Sequence, residues 1–333
     1  MHFEREGRQI AWAKELIGQM WAARAARVLH AANGAGLFAR LAEGPATAED
    51  LARRERLDAA LAEKVLIACA AMGLVNREGG RWALAPKGRA TLVPGSPVYQ
   101  GHAIAHAGEV QPVWNDLAEH LRGRAGWSQF VEEGETPRRS HADFVLAMHE
   151  MAMAGRAAEL AARVDLAGCR TLIDVGGGPG TYAMALCERW PDLRATVLDL
   201  PETVAIAREV IGGFGTGERV HAAIGDWDSD EFGRDADAAL LSNILHGPTS
   251  RAEMKLAKAW RALRPGGRLI IQDFLLNDEK TGPLAPALFN IMVGAFSRKE
   301  LADRIVAAGF LGPHFQPMPE DLGTSLAVAV RPQ

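Results

Sequence analysis

The sequence predicts an α/β protein, in which an all-helical domain precedes a doubly wound parallel sheet. From residue 170 onward, short apolar runs lie about 20–35 residues apart, with helical patterns between them. Strands and helices that alternate at this spacing are typical of a parallel sheet covered by helices. Apolar residues in the first hundred positions instead recur at three- and four-residue spacings, which predicts helices. A chain of 333 residues is long enough for both domains.

The N-terminal domain begins with a long helical pattern over ELIGQMWAARAARVLHAANGAGLFARL. Two more helices are predicted in ATAEDLARRERLDAALAEKVLIACAAMGLV, where Thr47 is a good N-cap, Asp50 lies three residues on, and Gly73 ends the second helix. The next stretch, LVNREGGRWALAPKG, has two short apolar pieces around Glu-Gly-Gly, which indicates a hairpin. This order outlines a winged helix, and we class residues 1–98 as an all-helical winged-helix domain.

Two further segments complete the chain. Residues 99–165 are again helical in pattern, with turn-rich stretches at 122–128 and 132–141, and are interpreted as a linker. Residues 166–333 form the sheet domain. Its predicted strands are TLIDVGGG, ATVLDL, VHAAIGD, AALLSNIL and RLIIQDF, followed by LGTSLAVAV at 322–330 at or near the sheet edge.

Composition excludes several classes of protein. Apolar residues make up 48% and charged residues 23%, as in ordinary globular proteins. No apolar run approaches the roughly 20 residues of a membrane span, and the start MHFEREGRQI lacks the apolar core of a signal peptide. Three cysteines without CxxC spacing suggest a reducing compartment, no disulfide framework and no metal site. We therefore expect a cytoplasmic protein without a membrane partner.

The charge distribution argues against a nucleic-acid partner. The formal net charge is −4; residues 1–100 hold 14 basic and 10 acidic side chains, and the remainder holds 23 and 31. A DNA-binding regulator is the main non-enzyme alternative, because winged helices often bind DNA. However, the basic residues of the first hundred positions form no cluster with interleaved aromatic residues. We expect no nucleic acid to bind.

The clearest motif is the turn DVGGGPG, from Asp174 to Gly180, between a predicted strand and a predicted helix. Glycines at such a turn let a ligand approach the backbone beside a helix N-terminus. Asp199 ends the next strand, where an acid can accept hydrogen bonds from both ribose hydroxyls. Asp226 ends the third strand and can accept from an adenine amino group, with Trp227 covering the ring.

Two classes of ligand compete for this turn. A dinucleotide would require GxGxxG and a pyrophosphate at the helix N-terminus. Here the pattern is D-x-G-x-G-x-G, and a carboxylate two residues before the first glycine repels a pyrophosphate but suits a cation. S-adenosylmethionine is cationic at its amine and its sulfonium, so the sequence favours it over NAD.

The stretch LIDVGGGPGTYAMALCERWPDLRATVLDLP resembles the glycine-rich signature of the class I, S-adenosylmethionine-dependent small-molecule O-methyltransferases. The branch is the acetylserotonin and caffeate type, which includes many bacterial natural-product enzymes. The similarity extends to GD at 225–226, ILH at 244–246 and LRPGGRLIIQDF at 263–274. GLFARL, AEDLARR and WALAPKG also resemble the family's winged-helix dimerisation domain. The resemblance spans nearly the whole chain and implies a Rossmann-like methyltransferase sheet and a homodimer.

The resemblance implies a set of site residues at the strand ends. For the cofactor S-adenosylmethionine they are Asp174, Gly176, Gly178, Asp199, Leu200, Asp226, Trp227 and Ser242. The family's general base falls at His246, with Asp273 as its acidic partner. Methyl transfer is an in-line displacement on an activated carbon, so the enzyme mainly positions the acceptor and removes its proton.

This chain departs from the family beside the histidine. Relatives usually read His-Asp-Trp, whereas residues 246–248 read His-Gly-Pro. We expect Pro248 to hold Gly247 in an extended conformation and to end the strand there. A second usual acid is also missing from NIMVGAFSRKEL, where Glu300 is the nearest acid and is interpreted as a solvated helix residue. These losses leave open C- or N-methylation, or non-methylating chemistry with the same fold and cofactor.

The implied acceptor is a small aromatic or polycyclic molecule of secondary or pigment metabolism. HADFVLAMHEMAMAGR supplies an apolar helical face, and a face rich in methionine adapts to flat ligands. The candidate acceptor-binding residues are Phe144, Met148, Met151, Asn243, Phe289 and Met292, together with Phe296.

Overall fold

The computed structural model describes residues 7–123, 141–316 and 318–333. Most of the two turn-rich stretches predicted at 122–128 and 132–141 lies outside these residues. The chain divides into two compact units, Met1–Ala118 and Glu119–Gln333. The division of the chain at residues 98 and 165 stays a prediction.

The first unit is mostly helical. Its elements in chain order are α1 (Gly7–Gly34), α2 (Leu37–Glu43), α3 (Ala48–Glu55), α4 (Ala59–Ala71), β1 (Val75–Glu78), β2 (Arg81–Leu84), α5 (Pro86–Leu92), α6 (Gly101–Glu109) and α7 (Gln111–Asn115), and α8 (Leu117–Leu121) begins in it. The predicted N-cap is confirmed, because the side chain of Thr47 accepts a hydrogen bond from the backbone N–H of Asp50.

The expectation that this domain is all-helical is wrong. Strands β1 and β2 form an antiparallel pair in which Val75 faces Leu84, joined by the Gly79–Gly80 turn that the sequence indicated. The pair exists because Trp82 and Leu84 alternate into the core of the unit, where both are buried. The assignment of this unit to the winged-helix class remains a prediction.

The second unit contains a seven-stranded sheet flanked by helices. Its helices are α9 (His141–Met151), a π-helical segment (Ala152–Arg156), α10 (Ala157–Arg163), α11 (Thr181–Arg189), α12 (Pro201–Gly213), α13 (Ala252–Ala262), α14 (Leu284–Met292) and α15 (Arg298–Ala307). Its strands are β3 (Thr171–Val175), β4 (Arg194–Asp199), β5 (Val220–Ile224), β6 (Ala236–Ser242), β7 (Leu263–Asp273), β8 (Leu311–Gln316) and β9 (Ser325–Val330).

The strand order is β5-β4-β3-β6-β7-β9-β8. Strands β3 to β7 pair in parallel, and β9 pairs antiparallel with both β7 and β8. The predicted doubly wound parallel sheet is therefore confirmed, except that one strand, β9, runs antiparallel to the others. Strand β8 escaped prediction because it is a partly exposed edge strand interrupted by Gly312 and Pro313.

The sheet is buried on both faces. Along β6, Ala238 and Leu240 pack into one apolar cluster, whereas Ala239 and Leu241 pack into another on the opposite face. Strands buried in this way read as continuous apolar runs, which is why the sequence showed them clearly. No helix in the part of the chain that the structure describes is long and apolar enough to cross a membrane.

Candidate active site

The glycine-rich turn follows β3 and leads into α11. Gly176 has a φ of +60°, which a residue with a side chain rarely adopts. A Cβ there would also lie 2.4 Å from Cζ3 of Trp227. Gly176 is therefore needed for its backbone angles and for the close approach of the Trp227 ring.

Asp174 lies beneath this turn rather than beside it. Its side chain is fully buried, and a Cβ on Gly177 would lie 2.6 Å from its Cγ atom. Neither carboxyl oxygen has a hydrogen-bond partner of ordinary length and angle among the described residues. Burial, followed by the charge of Asp199, raises the pKa of Asp174 to about 7, although an interaction with the backbone N–H of Ala183 opposes the rise. A cationic ligand group would favour the charged form of this carboxyl and would supply the missing partner.

Asp199 connects the end of β4 to the turn. Its Oδ2 accepts a hydrogen bond from the backbone N–H of Gly178 at 2.8 Å, and its Oδ1 accepts from that of Leu200 at 2.8 Å. Each carboxylate oxygen has a second lone pair, so both can still accept from ribose hydroxyls. Leu200 follows on the surface with 40% of its area exposed.

Asp226 and Trp227 follow β5, the strand next to β4. The carboxylate of Asp226 accepts from the backbone N–H of Asp228 at 2.8 Å and from Ser229 Oγ at 3.2 Å, which closes a tight turn. A small pocket here is lined by residues that include Val175, Leu198, Gly225, Asp226, Trp227 and Phe232.

The structure thus brings the three predicted acids to the ends of three adjacent strands. Two acceptor carboxylates, an indole ring and an unpartnered buried carboxyl match the ribose, the adenine and the ammonium group of S-adenosylmethionine. The residues present therefore fit this cofactor.

His246 lies at the ends of β6 and β7, held by Asp273. Its Nδ1 donates to Oδ1 of Asp273 at 3.0 Å, and that fully buried carboxylate also accepts from the backbone N–H of Leu245 at 3.0 Å and of Phe274 at 2.8 Å. Because these contacts use Asp273 as an acceptor, Nδ1 carries a proton, and in the neutral form of the ring Nε2 keeps its lone pair. This nitrogen can take a proton from a hydroxyl group.

The loop that carries His246 differs from its predicted form. Strand β6 ends at Ser242, four residues before the histidine, because Asn243 turns the chain with a φ of +54°. Gly247 is not held in an ordinary extended conformation, since its φ is +61°. A Cβ on Gly247 would lie 3.0 Å from the backbone of Gly294 and Ala295. Close backbone packing, rather than Pro248, therefore requires glycine after the histidine.

Aromatic rings adjoin the base. The ring of Phe289 meets His246 edge to face at 5.1 Å between centroids, and Phe274 stacks on Phe289 at 4.0 Å. Phe289 thus lies beside His246, and its role in acceptor binding stays a prediction. Asn243 donates from Nδ2 to Ser242 Oγ at 3.2 Å, and its buried Oδ1 has no partner among the described residues.

The remaining acceptor candidates are less closely connected to the base. Phe144 is 46% exposed on α9, and Met148, Met151 and Met292 are half-buried. Their role in an acceptor pocket stays a prediction. Phe296, by contrast, is a buried core residue with 2% exposure, so it lines no open site.

Glu300 has a structural role at the start of α15. It forms a capping box with Ser297, in which each residue's side chain accepts from the other's backbone N–H, and it pairs with Lys280 at 2.6 Å. His246 therefore has Asp273, and not Glu300, as its carboxylate partner among the described residues.

Sequence reasoning missed Lys255. This buried lysine of α13 donates from Nζ to the carbonyl oxygen of Ile244 at 2.9 Å, and its Nζ lies 4.5 Å from the centre of the Trp227 ring. It therefore contacts both the loop of the base and the ring beside the glycine turn. The signal was a lysine on the apolar face of an amphipathic helix, which is easily mistaken for a solvated charge.

Comparisons with known proteins agree with this geometry. The O-methyltransferase domain family matches residues 112–309. The chain is 35% identical over 283 residues to a 3-hydroxy-5-methyl-1-naphthoate 3-O-methyltransferase of Streptomyces sahachiroi, which covers 82% of this chain and 81% of the relative. It is 32% identical over 340 residues to the N,N-dimethyltransferase OxyT of Streptomyces rimosus, which covers 97% and 98%.

A solved structure with the same fold contains the demethylated product of the cofactor. PigF, solved with S-adenosylhomocysteine, is 27% identical and aligns with a TM-score of 0.78 over 96% of this chain and 98% of its own. The resemblance drawn from the glycine turn and the strand-end acids is therefore confirmed.

Proposed function

Because the chain belongs to the O-methyltransferase family, we propose that it methylates a hydroxyl group of a small aromatic or polycyclic acceptor in secondary metabolism. The enzyme depends on S-adenosylmethionine. The observation that carries the proposal is the hydrogen bond of His246 Nδ1 to Asp273 at the strand ends, which leaves Nε2 outside that pair. The naphthoate relative is named for 3-O-methylation of an aromatic acid, which supports the same acceptor class.

When bound, S-adenosylmethionine supplies a methyl group on a positively charged sulfur, an electrophile that needs no further activation. The task of the protein is then to align the acceptor oxygen and to remove its proton. With the cofactor and acceptor bound, His246 Nε2 would accept the proton that the acceptor hydroxyl loses on methylation. Asp273 fixes the imidazole and stabilises its positive charge, because the carboxylate is buried and held by two backbone N–H groups.

The direct test follows the methyl group. Protein incubated with S-adenosylmethionine carrying an isotopic label should transfer the label to members of a panel of hydroxylated naphthoates and phenols. Each hydroxyl compound is paired with its methyl ether and its amine. Transfer to the hydroxyl member alone supports the proposal. Transfer to the amine member alone would favour N-methylation, the second candidate, which the N,N-dimethyltransferase relative suggests.

Asp199→Ala provides a test of the cofactor site. We expect S-adenosylhomocysteine to bind the unaltered protein at micromolar affinity, roughly −7 to −8 kcal/mol. The substitution removes an acceptor for the ribose and releases the backbone N–H of Gly178, so affinity should fall by about 1.5–3 kcal/mol. Calorimetry measures both values. Folded protein that gives no heat with the cofactor or its product would contradict the assignment, and NAD should give none.

We also propose a homodimer formed through α1. This helix exposes a row of large apolar side chains that its own unit does not cover: Ile10, Trp12, Leu16, Ile17, Met20 and Trp21, each between 44% and 63% exposed. Apolar surface of this kind usually marks an interface between chains. The family resemblance, which includes a dimerisation domain at these residues, favours a second copy of this chain as the partner.

The double variant Trp12→Glu and Trp21→Glu should convert the dimer to a folded monomer, because charges in the interface would be buried without partners. Sedimentation velocity at low micromolar concentration measures the change. Leu121→Glu is the matched control, since Leu121 is 81% exposed outside α1. If the unaltered protein sedimented as a monomer at this concentration, the proposed dimer would be wrong.

We place the enzyme in the cytoplasm on the basis of its thiols. Cys69, Cys169 and Cys187 are free and buried. Burial raises the pKa of Cys69 and of Cys187 to about 11, so both remain unreactive thiols. Unpaired cysteines of this kind are ordinary in a reducing compartment.

A further inference from the structure

Within the part of the chain that the structure describes, Arg156 is a half-buried cation without an acidic partner. Its Nε donates to the carbonyl oxygen of Leu322 at 3.0 Å, which is the one hydrogen bond its guanidinium makes within residues 7–123, 141–316 and 318–333. No carboxylate of those residues forms an ion pair with it. Burial lowers the pKa of Arg156 below its usual value, although Tyr182 opposes the change. A charged group in such a position normally requires a partner.

The backbone before Arg156 is irregular. The π-helical segment Ala152–Arg156 interrupts the helix between α9 and α10. Within it Gly155 has a φ of +118° and a ψ of −24°, angles that favour glycine. Breaks of this type are costly and concentrate at functional sites. This one ends at Arg156, which directly follows Gly155.

A continuous row of rings connects Arg156 to the base. Its Cζ lies 5.2 Å from the centre of the Phe274 ring. Phe274 stacks on Phe289, and Phe289 meets His246 edge to face. A flat ligand along these rings would therefore have a proton acceptor at one end and a positive charge at the other.

The other side of Arg156 adjoins the cofactor turn. Tyr182, with which Arg156 interacts electrostatically, is the second residue of α11 and follows the glycine-rich turn directly. Its hydroxyl accepts from Gln272 Nε2 at 3.0 Å. The interactions of Arg156 within the described residues are thus with neutral partners, Leu322, Phe274 and Tyr182, and its charge is left to be balanced by a ligand.

We infer that Arg156, together with Phe274, binds the carboxylate of a small molecule held at the strand ends. A guanidinium pairs with a carboxylate through two parallel hydrogen bonds, so this chemistry fits better than a neutral group. The inference rests on the proposed function, in which two molecules can carry a carboxylate: the methionine end of the cofactor and an acceptor that is an aromatic acid.

Calorimetry on the unaltered protein distinguishes these two sources. The first pair of probes is S-adenosylhomocysteine and its decarboxylated analogue. The second pair, added in the presence of S-adenosylhomocysteine, is 3-hydroxy-1-naphthoic acid and its carboxamide. We expect the carboxylate member of one pair to bind about 10–100-fold more tightly, the effect of a hydrogen bond to a charged partner. The pair that shows the difference identifies the ligand.

Arg156→Met should abolish that difference by weakening only the carboxylate member, and Arg156→Lys should restore part of it. Arg163→Met is the control, because Arg163 on α10 is ion-paired with Glu159. Equal binding within both pairs, or a difference that survives Arg156→Met, would overturn the inference. Equal binding within both pairs is measured on the unaltered protein, so this outcome can be observed even if Arg156→Met fails to fold. If calorimetry showed no binding heat with S-adenosylhomocysteine, the proposed function would be wrong, and this inference would be wrong with it.

Discussion

His246→Ala is expected to lower turnover by about 10²–10⁴ while leaving the affinity for S-adenosylhomocysteine nearly unchanged, because a positioned base contributes that much to proton removal. His246 contacts Asp273 and Phe289, and none of the three acids at the glycine turn. The loss should shrink at high pH, where a phenol acceptor with a pKa near 10 ionises without help. Initial rates between pH 7 and 10 and calorimetry on the same preparation measure both effects.

Two companion variants separate a base from a structural residue. Asp273→Asn keeps the shape of the partner but offers an amide that can donate to Nδ1, which favours the tautomer with Nε2 protonated, so turnover should also fall. His221→Ala removes an exposed histidine of β5 and should change nothing. If His246→Ala retained full turnover on a methylated acceptor, the base role would be wrong. Equal losses in turnover and in cofactor affinity would mean that His246 is structural.

Asp174→Asn is expected to gain stability relative to the unaltered protein as the pH rises from 5 to 8, when no ligand is bound. The same substitution is expected to weaken cofactor binding. The pKa of Asp174 is about 7 when folded, above its ordinary value of 3.8. Well below pH 3.8 the carboxyl is neutral in both states and costs nothing. As pH rises toward 7 the unfolded chain releases the proton and the folded chain retains it, so the stability of the unaltered protein falls. Asparagine removes this dependence.

The expected size follows from the same linkage. Between pH 5 and 8 the unaltered protein should lose roughly 3 kcal/mol relative to Asp174→Asn, as read from denaturant unfolding at each pH. At pH 8 the variant should bind S-adenosylhomocysteine about 1.5–3 kcal/mol more weakly, since it lacks a charge for the ammonium group. Opposite signs in stability and affinity are the decisive result. A variant that loses both at pH 8 would make Asp174 purely structural.

Asp237→Asn is the matched control in the same sheet. Although burial opposes ionisation, hydrogen bonds from the backbone of Arg170 and the side chain of Arg264 lower the pKa of Asp237 to about 2. The stability from this carboxylate is present above the pKa of the unfolded chain and is lost as pH falls through about 2. Its replacement should therefore destabilise the protein at pH 8, the reverse of Asp174→Asn, without affecting the cofactor.

Features that depend on local pattern were predictable from the sequence. The parallel strands were visible because both faces of the sheet are buried and each strand is an unbroken apolar run. The glycine turn and the acids Asp174, Asp199 and Asp226 followed from their spacing, since parallel strands bring their carboxyl ends to one edge. Thr47 and the hairpin at residues 75–84 followed from local turn and capping chemistry.

Features that depend on contacts between distant segments were decided by the tertiary structure. Asp174 reads as a ligand carboxylate in sequence, but packing beneath Gly177 buries it and shifts its pKa. Gly247 reads as the residue before a proline, yet the backbone at Gly294 and Ala295 determines its conformation. Lys255 and Arg156 read as solvated helix charges. Strands and loops far along the chain determine what each of these two side chains contacts. Burial then changes the energy of the charged group more than the adjacent residues in the sequence do.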